Sequence, residues 1–202
     1  SDNEDDDNDQ HAAIPAKLQL TVPFTAQAPT ANWDELHNEA CEEASLIMAN
    51  AYFNDISSLP PATVEKEITK LTKYQQDNYG YYLSITTSET ARMAEEVYGM
   101  KTEIVKFNEQ TIKQALADNK LIVYPAMGQM LGNPNFTGEG PIYHMLVITG
   151  YDGSNYITND PGTRKGLNYK YSYDTLEAAA GNWVHSAHAV DTSYKRIIII
   201  SK

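Results

Sequence analysis

The stretch "NEACEEASLIMANAYF", residues 38–53, contains the single cysteine of the chain, Cys41. Its apolar residues recur at spacings of three and four, which predicts a helix with one buried face. Asn38 is a favourable N-cap for that helix. A thiol in the first turn is either a small buried hydrophobe or a nucleophile, because unpaired N–H groups at a helix N-terminus favour the thiolate.

Two acids, Glu42 and Glu43, follow the cysteine directly. Their negative charge would raise the pKa of a nearby thiol. The helical rotation between successive residues predicts that both side chains turn away from the face of Cys41, and acids are favourable in a first helical turn. The residues of this helix alone favour a buried and inert cysteine.

Composition favours one globular domain and excludes several classes of partner. The chain has 202 residues, of which 42% are apolar and 21% charged, enough for a packed core. The net charge is −12, and no basic stripe offsets it, which argues against nucleic acid and anionic membrane surfaces. Since no run of about 18 apolar residues exists, no membrane-spanning segment is predicted.

The first ten residues, "SDNEDDDNDQ", hold six acids and no base. Residues 1–13 are therefore predicted to be a disordered acidic leader, and residues 14–202 the folded domain. Because the sequence starts with Ser1, we expect a processed or engineered N-terminus and an extracellular or cell-envelope location. A disordered cytosolic tail is the alternative interpretation of the same residues.

No metal ion or cofactor is predicted. A single cysteine excludes both an intrachain disulfide and a zinc site with several cysteine ligands. His185 and His188 could share a helical face, but no third ligand stands at a recognisable spacing. We interpret both as ordinary core or surface histidines.

The order of elements predicts an α+β domain, since helices dominate the first half and strands the second. Helices are predicted at 39–53, 60–78, 86–99, 108–120 and 174–181, and strands at 17–24, 102–107, 121–126, 142–152, 155–160 and 194–200. The stretch 25–38 is predicted to be irregular. The glycine- and proline-rich loop 127–141 is predicted as either a wall or lid of a cleft or a plain surface loop.

A cysteine nucleophile needs a base and a group that orients the base. His144 lies in one predicted strand and Asp160 at the end of the next, and neighbouring antiparallel strands can bring such side chains together. Gln27, in the loop before the cysteine helix, carries an amide that could donate to an oxyanion. The order Gln27, Cys41, His144, Asp160 is the papain-type order.

Three blocks of the sequence carry a family resemblance: "VPFTAQAPTANWDELHNEACEEASLIM", "YPAMGQMLGNPNFTGEGPIYHMLVITGYD" and "YITNDPGT". They resemble the motif blocks of stand-alone bacterial cysteine peptidases related to the double-glycine leader peptidases of bacteriocin exporters. The resemblance runs from about residue 18 to the C-terminus, and the family has a papain-like fold.

The resemblance implies a role for each candidate residue. Cys41 would be the nucleophile, His144 the general base and Asp160 the orienting carboxylate, with Asn159 as a second candidate for that last role. Gln27 and the backbone N–H of Cys41 would form the oxyanion hole. The exporter peptidases are joined to membrane and ATPase domains that this sequence lacks, so cleavage of a double-glycine leader does not carry over.

The expected fold is thus papain-like, with a helical half packed on an antiparallel sheet and the substrate in the cleft between them. The expected function is hydrolysis of a peptide or amide through a thioester. Two alternatives stay open: a catalytically silent binding module at the cell envelope, and a cell-wall amidase or acyltransferase with the same triad. A monomer is favoured.

Overall fold

The structure is a computed structural model that describes residues 12–202, so the predicted leader lies almost wholly outside the described residues. The helices in this range are α1 (Glu35–Asn38), α2 (Cys41–Phe53), α3 (Pro61–Tyr79), α4 (Thr87–Tyr98), α5 (Glu109–Ala117) and α6 (Tyr173–Ala179). The strands are β1 (Lys17–Gln19), β2 (Lys101–Lys106), β3 (Leu121–Met127), β4 (Tyr143–Asp152), β5 (Asn155–Asn159), β6 (Tyr169–Ser172), β7 (Asn182–Val184), β8 (Ala189–Asp191) and β9 (Arg196–Ser201). Within this range, no helix combines the length and the apolar character that crossing a bilayer requires.

Seven of these strands form one antiparallel sheet in the order β2-β9-β3-β4-β5-β6, and β1 pairs with the far end of β4. The predicted hairpin is present, because β4 and β5 pair directly. Strands β7 and β8 form a separate two-stranded sheet. Helices packed on an antiparallel sheet confirm the predicted α+β class.

Strand β4 separates two apolar cores, because successive side chains of a strand point to opposite faces. Tyr143, Met145 and Val147 pack into the core that α2, α3 and α4 cover. Leu146 and Ile148 pack into the core on the other face, beneath α5 and α6. The cysteine helix α2 therefore lies on the first face, directly against β4.

Local sequence signals set several helix ends as predicted. Thr86 and Glu89 form a reciprocal capping box at the start of α4, and Gly99 ends that helix in the left-handed conformation, with φ of 66°. Pro61 is the first residue of α3, where its missing N–H costs nothing. Asn108 caps α5 through its side chain. These predictions are confirmed.

The predicted N-cap of the cysteine helix is wrong. Asn38 instead ends the short helix α1, within the stretch predicted to be irregular. Asp34 caps α1 by accepting the backbone N–H of His37 at 3.0 Å, and this local bond forms the extra turn. Helix α2 then begins at Cys41, and its N-cap residue Ala40 has no side chain that can accept a hydrogen bond.

Three short strands, β6, β7 and β8, are absent from the sequence prediction. A chain segment of three or four residues has too little periodicity to be recognised. His185 follows strand β7 and bonds Glu89 at 3.0 Å, so the helical face proposed for His185 and His188 does not exist. No group of three metal-ligating side chains gathers anywhere in residues 12–202.

Candidate active site

Cys41 is the first residue of α2, and its side chain is only 4% exposed. It packs in the same apolar core as Met145, in β4, whose backbone lowers the pKa of the thiol against the larger effects of burial and Glu42. The start of the helix therefore lies against the sheet at the residue that follows His144 in the chain. The fold thus brings the cysteine and histidine segments together across about 100 residues of sequence, as their numbers show.

His144 and Asp160 form a buried hydrogen-bonded pair. The Nε2 atom of His144 lies 2.7 Å from Oδ1 of Asp160, and the two side chains are 1% and 0% exposed. Asp160 directly follows β5, which pairs with β4, so the sheet register delivers both side chains to one place. Among the described residues, Nδ1 of His144 takes part in no hydrogen bond, which leaves it available to a further partner.

The carboxylate of Asp160 is well supplied with donors. The backbone N–H of Gly162 donates to Oδ1 at 2.9 Å, and the hydroxyl of Tyr171 donates to Oδ2 at 2.5 Å. Asn133 approaches Oδ2 at 3.5 Å, the limit of hydrogen-bond distance. Burial pushes the pKa of Asp160 upward, but the charge of His144 and these hydrogen bonds outweigh it and hold the pKa below its usual value.

Asn159, the other residue considered for orienting the histidine, makes different contacts. Its side-chain amide donates to the carbonyl of Val22 at 3.1 Å, and its oxygen accepts the backbone N–H of Asn168 at 3.2 Å. Both of these bonds tie separate chain segments to the end of β5. It is Asp160, not Asn159, that contacts His144.

Gln27 is buried, and its side-chain amide is already engaged. Its Nε2 atom donates to the carbonyls of His37 and Asn38, both at 2.9 Å. Its backbone N–H donates to the carbonyl of Pro161 at 2.9 Å. Gln27 therefore ties the end of α1 to the turn after β5, and both of its amide hydrogens have acceptors.

Loop 127–141 forms a wall of the site and is not a plain surface loop. The ring of Phe136 lies edge-on to His144, with the centroids 5.3 Å apart. Gly162 closes the gap opposite, since a β-carbon there would lie 2.8 Å from Cε1 of His144 and 2.9 Å from Phe136. A side chain at residue 162 would therefore displace the imidazole.

A cavity of about 780 Å³ opens beside the histidine. Its lining includes Gln27, Trp33, Phe136, Gly162 and Arg164. Phe136 and Gly162 both lie against His144, so part of the lining is next to the imidazole.

Cys41 and His144 are not bonded to each other. No hydrogen bond joins them in the part of the chain that the structure describes. The thiol instead donates to Oε2 of Glu42 at 3.1 Å. Burial, followed by the charge of Glu42, raises the pKa of Cys41 well above its usual value.

The prediction that Glu42 and Glu43 both turn away from the face of Cys41 is wrong for Glu42, which accepts the thiol hydrogen bond, whereas Glu43 bonds Gln75 in α3 instead. Both acids are buried, at 1% and 0% exposure, because α2 is enclosed by α3, α4 and the sheet and has almost no solvent face. Burial raises the pKa of Glu42 to about 7 and that of Glu43 well above its usual value. Glu43 accepts a hydrogen bond from Gln75, while its Oε2 has no partner among the described residues.

The comparisons with known proteins agree with this architecture. The sequence profile described as the Peptidase C39 like family matches residues 19–190. The chain belongs to this family. No curated protein sequence matches the chain.

Two crystal structures show the same fold. A protein from Bacillus anthracis assigned as a C39-like peptidase aligns at a TM-score of 0.61 and 16% identity, over 93% of this chain and 98% of that one. A double glycine motif protease from an AMS/PCAT transporter, in complex with the leader peptide, aligns at 0.50 and 17% identity, over 90% and 92% of the two chains. These likenesses confirm the papain-like α+β fold.

Several residues of the site were not found from the sequence. Tyr171 reaches Asp160 from a strand outside the quoted blocks, and Asn133 reaches it from a block in which no residue of the loop was assigned a role. Phe136 contacts the histidine from the irregular loop, and only the tertiary fold brings it there. Gly162 had a signal, since it follows Asp160 in the segment "NDPG", where glycine reads as an ordinary turn residue.

Proposed function

We propose that this chain is a thiol-dependent hydrolase that cleaves peptide or amide bonds through a triad of Cys41, His144 and Asp160. The observation that carries the proposal is the buried hydrogen bond of 2.7 Å between His144 and Asp160, which leaves Nδ1 of the imidazole for a reaction partner. The cysteine at the start of α2, beside the next residue of β4, supports it. A structural neighbour bound to a leader peptide makes a peptide the first substrate class to test.

The reaction begins with transfer of the Cys41 proton to Nδ1 of His144. The sulfur then forms a bond to the substrate carbonyl carbon, and the carbonyl oxygen becomes negatively charged. As the tetrahedral species collapses, the C–N bond breaks and the imidazolium gives its proton to the leaving nitrogen. A water molecule then attacks the thioester carbonyl while His144 accepts its proton. The C–S bond breaks, the carboxylic product leaves, and the imidazolium returns the proton to the sulfur.

Asp160 acts by holding the imidazole and stabilising its charged form. Its lowered pKa keeps the carboxylate ionised throughout the neutral pH range. The bonds from Tyr171 and Gly162 fix the carboxylate, so the ring it orients cannot rotate freely. Gly162 also lies against the imidazole, since a β-carbon there would stand 2.8 Å from Cε1 of His144.

Gln27 and the backbone N–H of Cys41 are the proposed oxyanion donors. Helix N-termini present unpaired N–H groups, which fits the position of Cys41 at the start of α2. Gln27 lines the cavity, but its two amide hydrogens bond the carbonyls of His37 and Asn38. One of these bonds must be exchanged for the substrate oxygen when the substrate binds.

A second candidate is a binding module of the same fold that performs no catalysis. The observation that favours it is the hydrogen bond from the thiol to Glu42, together with the raised pKa of Cys41. A cell-wall amidase or acyltransferase would use the same triad and differ only in the amide it accepts and in the acyl acceptor. Product analysis separates these three functions.

The test is incubation of the protein with a defined peptide mixture and with cell-wall peptides, followed by mass spectrometry of the products. Cys41→Ala should abolish cleavage and His144→Ala should reduce it to a similar level, with melting temperatures that stay within a few degrees of the parent. Cleavage that persists in Cys41→Ala rules out the cysteine mechanism. Binding without any cleavage by the parent protein favours the binding module.

The matched control is His188→Asn. His188 lies outside the site, and asparagine tolerates the left-handed backbone that the residue adopts, with φ of 46°. Its activity should equal that of the parent protein. A loss as large as that of His144→Ala would show that the histidine effect is not specific to the site.

A further inference from the structure

The thiol of Cys41 is held by a carboxylate rather than by the histidine with which it is proposed to react. Its Sγ lies 3.1 Å from Oε2 of Glu42 and is directed at that oxygen. Met145, the residue after His144 on β4, packs in the same core as Cys41, but no hydrogen bond among the described residues joins the thiol to the imidazole. The resting thiol therefore has a fixed partner that competes with the imidazole.

Glu42 is held in place from its other oxygen. Oε1 accepts the backbone N–H of Ile85 at 3.1 Å, and Ile85 is completely buried in the segment before α4. The side chain of Glu42 is 1% exposed, so it does not move freely as a surface acid would. The thiol thus donates to a buried carboxylate whose other oxygen is bonded to the backbone of Ile85.

The charges around Glu42 make this acceptor negative and poorly compensated. The charge of Glu39, from the segment before α2, raises the pKa of Glu42, and the charge of Glu42 in turn raises the pKa of Glu43 in the same helical turn. Tyr143, from β4, faces the same region and is buried. None of the ion pairs found within residues 12–202 includes Glu42, so no cation offsets its charge.

We propose that Glu42 is a positioning residue that holds the Cys41 thiol protonated and turned away from His144, and that the thiol must leave this hydrogen bond before it can react. The inference rests on the proposed function of Cys41 as a nucleophile. It adds a group that restrains the nucleophile until the site is engaged. While Glu42 is ionised, forming a thiolate beside it places two negative charges at hydrogen-bond distance in a buried site, which is unfavourable.

Removal of the Glu42 charge should make the thiolate easier to form. Glu42→Gln keeps the size and an acceptor for the N–H of Ile85, but it removes the negative oxygen from the sulfur. The titration midpoint of Cys41 should fall by about one pH unit or more, which is about tenfold more thiolate at neutral pH. Glu42→Met, which is of similar size and uncharged, should give the same direction.

The experiment is a pH titration of the thiolate by its ultraviolet absorbance, with Cys41→Ser as the blank, because this signal does not depend on access of a reagent. Glu39→Gln is the matched control: it removes the same charge nearby but has no bond to the thiol. It should shift the midpoint by less than half of the shift in Glu42→Gln. Equal shifts would mean that general charge, not the hydrogen bond, controls the thiol, and an unchanged midpoint in both Glu42 variants would overturn the proposal.

A double variant separates this proposal from the proposed function. If His144 pairs with the released thiol, adding His144→Ala to Glu42→Gln should raise the midpoint again by about one unit. A lowered midpoint in Glu42→Gln that does not respond to His144→Ala supports the role of Glu42 and contradicts the triad. A midpoint that responds to His144→Ala in the parent protein but not to Glu42→Gln supports the triad and contradicts the role of Glu42.

Discussion

Within residues 12–202, acidic side chains are buried in two places, after β5 at Asp160 and in the first turn of α2 at Glu42 and Glu43, and their pKa values shift in opposite directions. All three residues are at most 1% exposed. The pKa of Asp160 lies below its usual value, whereas that of Glu42 is raised to about 7 and that of Glu43 is raised well above its usual value. Burial alone therefore does not decide the charge of a side chain in this fold.

The difference lies in the hydrogen bonds and charges that surround each carboxylate. Asp160 accepts hydrogen bonds from His144, from the hydroxyl of Tyr171 and from the backbone N–H of Gly162. These bonds replace the hydration that the carboxylate loses on burial. Glu42 receives one backbone N–H and a thiol, and Glu43 one amide, while the two acids repel each other. The surroundings of Asp160 stabilise its ionised form, whereas those of Glu42 and Glu43 favour the protonated form.

The largest expected effect is a loss of catalytic activity when the charge of Asp160 is removed. Asp160→Asn should lower kcat/KM for peptide cleavage by about a hundredfold to ten-thousandfold, because the amide neither stabilises the imidazolium nor fixes its tautomer. Removing His144 should lower it further. Steady-state kinetics with the cleaved peptide measure both variants, and activity of Asp160→Asn within a few-fold of the parent would remove Asp160 from the triad.

Gly162→Ala tests whether the close packing around the His144–Asp160 pair matters. The new β-carbon would stand 2.8 Å from Cε1 of His144, so the ring must shift. A displacement of this kind should reduce kcat/KM by about tenfold to a hundredfold. The melting temperature serves as the control, since an equal loss of activity with unfolding at assay temperature would reflect stability instead of geometry.

Glu43→Gln removes one of the two buried charges in the first turn of α2 and should stabilise the protein. The raised pKa values of Glu42 and Glu43 mean that the folded state binds more protons than the unfolded state, so stability falls as pH rises above the usual pKa of a glutamate. Removing the Glu43 charge should raise the free energy of unfolding at neutral pH by about 1 kcal/mol or more. Urea unfolding at several pH values should show that the gain shrinks at acidic pH, and a gain that is independent of pH would point to packing rather than charge.

His37 is a buried titratable residue outside both acidic sites, and its substitution should change stability the least. It bonds Asp34 at 2.7 Å and Glu65 at 2.9 Å, and although burial opposes its charge, these bonds leave its pKa raised. A raised histidine pKa contributes stability that is present below the unfolded value and is lost as pH rises through the folded value. His37→Asn should cost about 1 kcal/mol at mildly acidic pH and less above neutrality, as measured by thermal unfolding at both pH values.

The sequence by itself determined the fold class and the candidate residues. Long periodic segments predicted the main helices and strands, because burying one face imposes a period of 3.6 or 2 on the residues. Local signals such as the Thr86–Glu89 box needed no tertiary contact to be recognised, since their partners lie three residues apart. The order of Gln27, Cys41, His144 and Asp160 along the chain then indicated the candidate catalytic residues.

Only the tertiary structure decided what those groups contact. A helix expected to have a polar side is enclosed on nearly every side, so Glu42 meets the thiol instead of water. Tyr171 reaches Asp160 from a strand too short to be predicted, and Gln27 turns its amide to the backbone before α2. Periodicity reports which way a side chain points relative to its own element, whereas the charge of Asp160, the protonation of Cys41 and the role of Glu42 depend on which other elements pack against them.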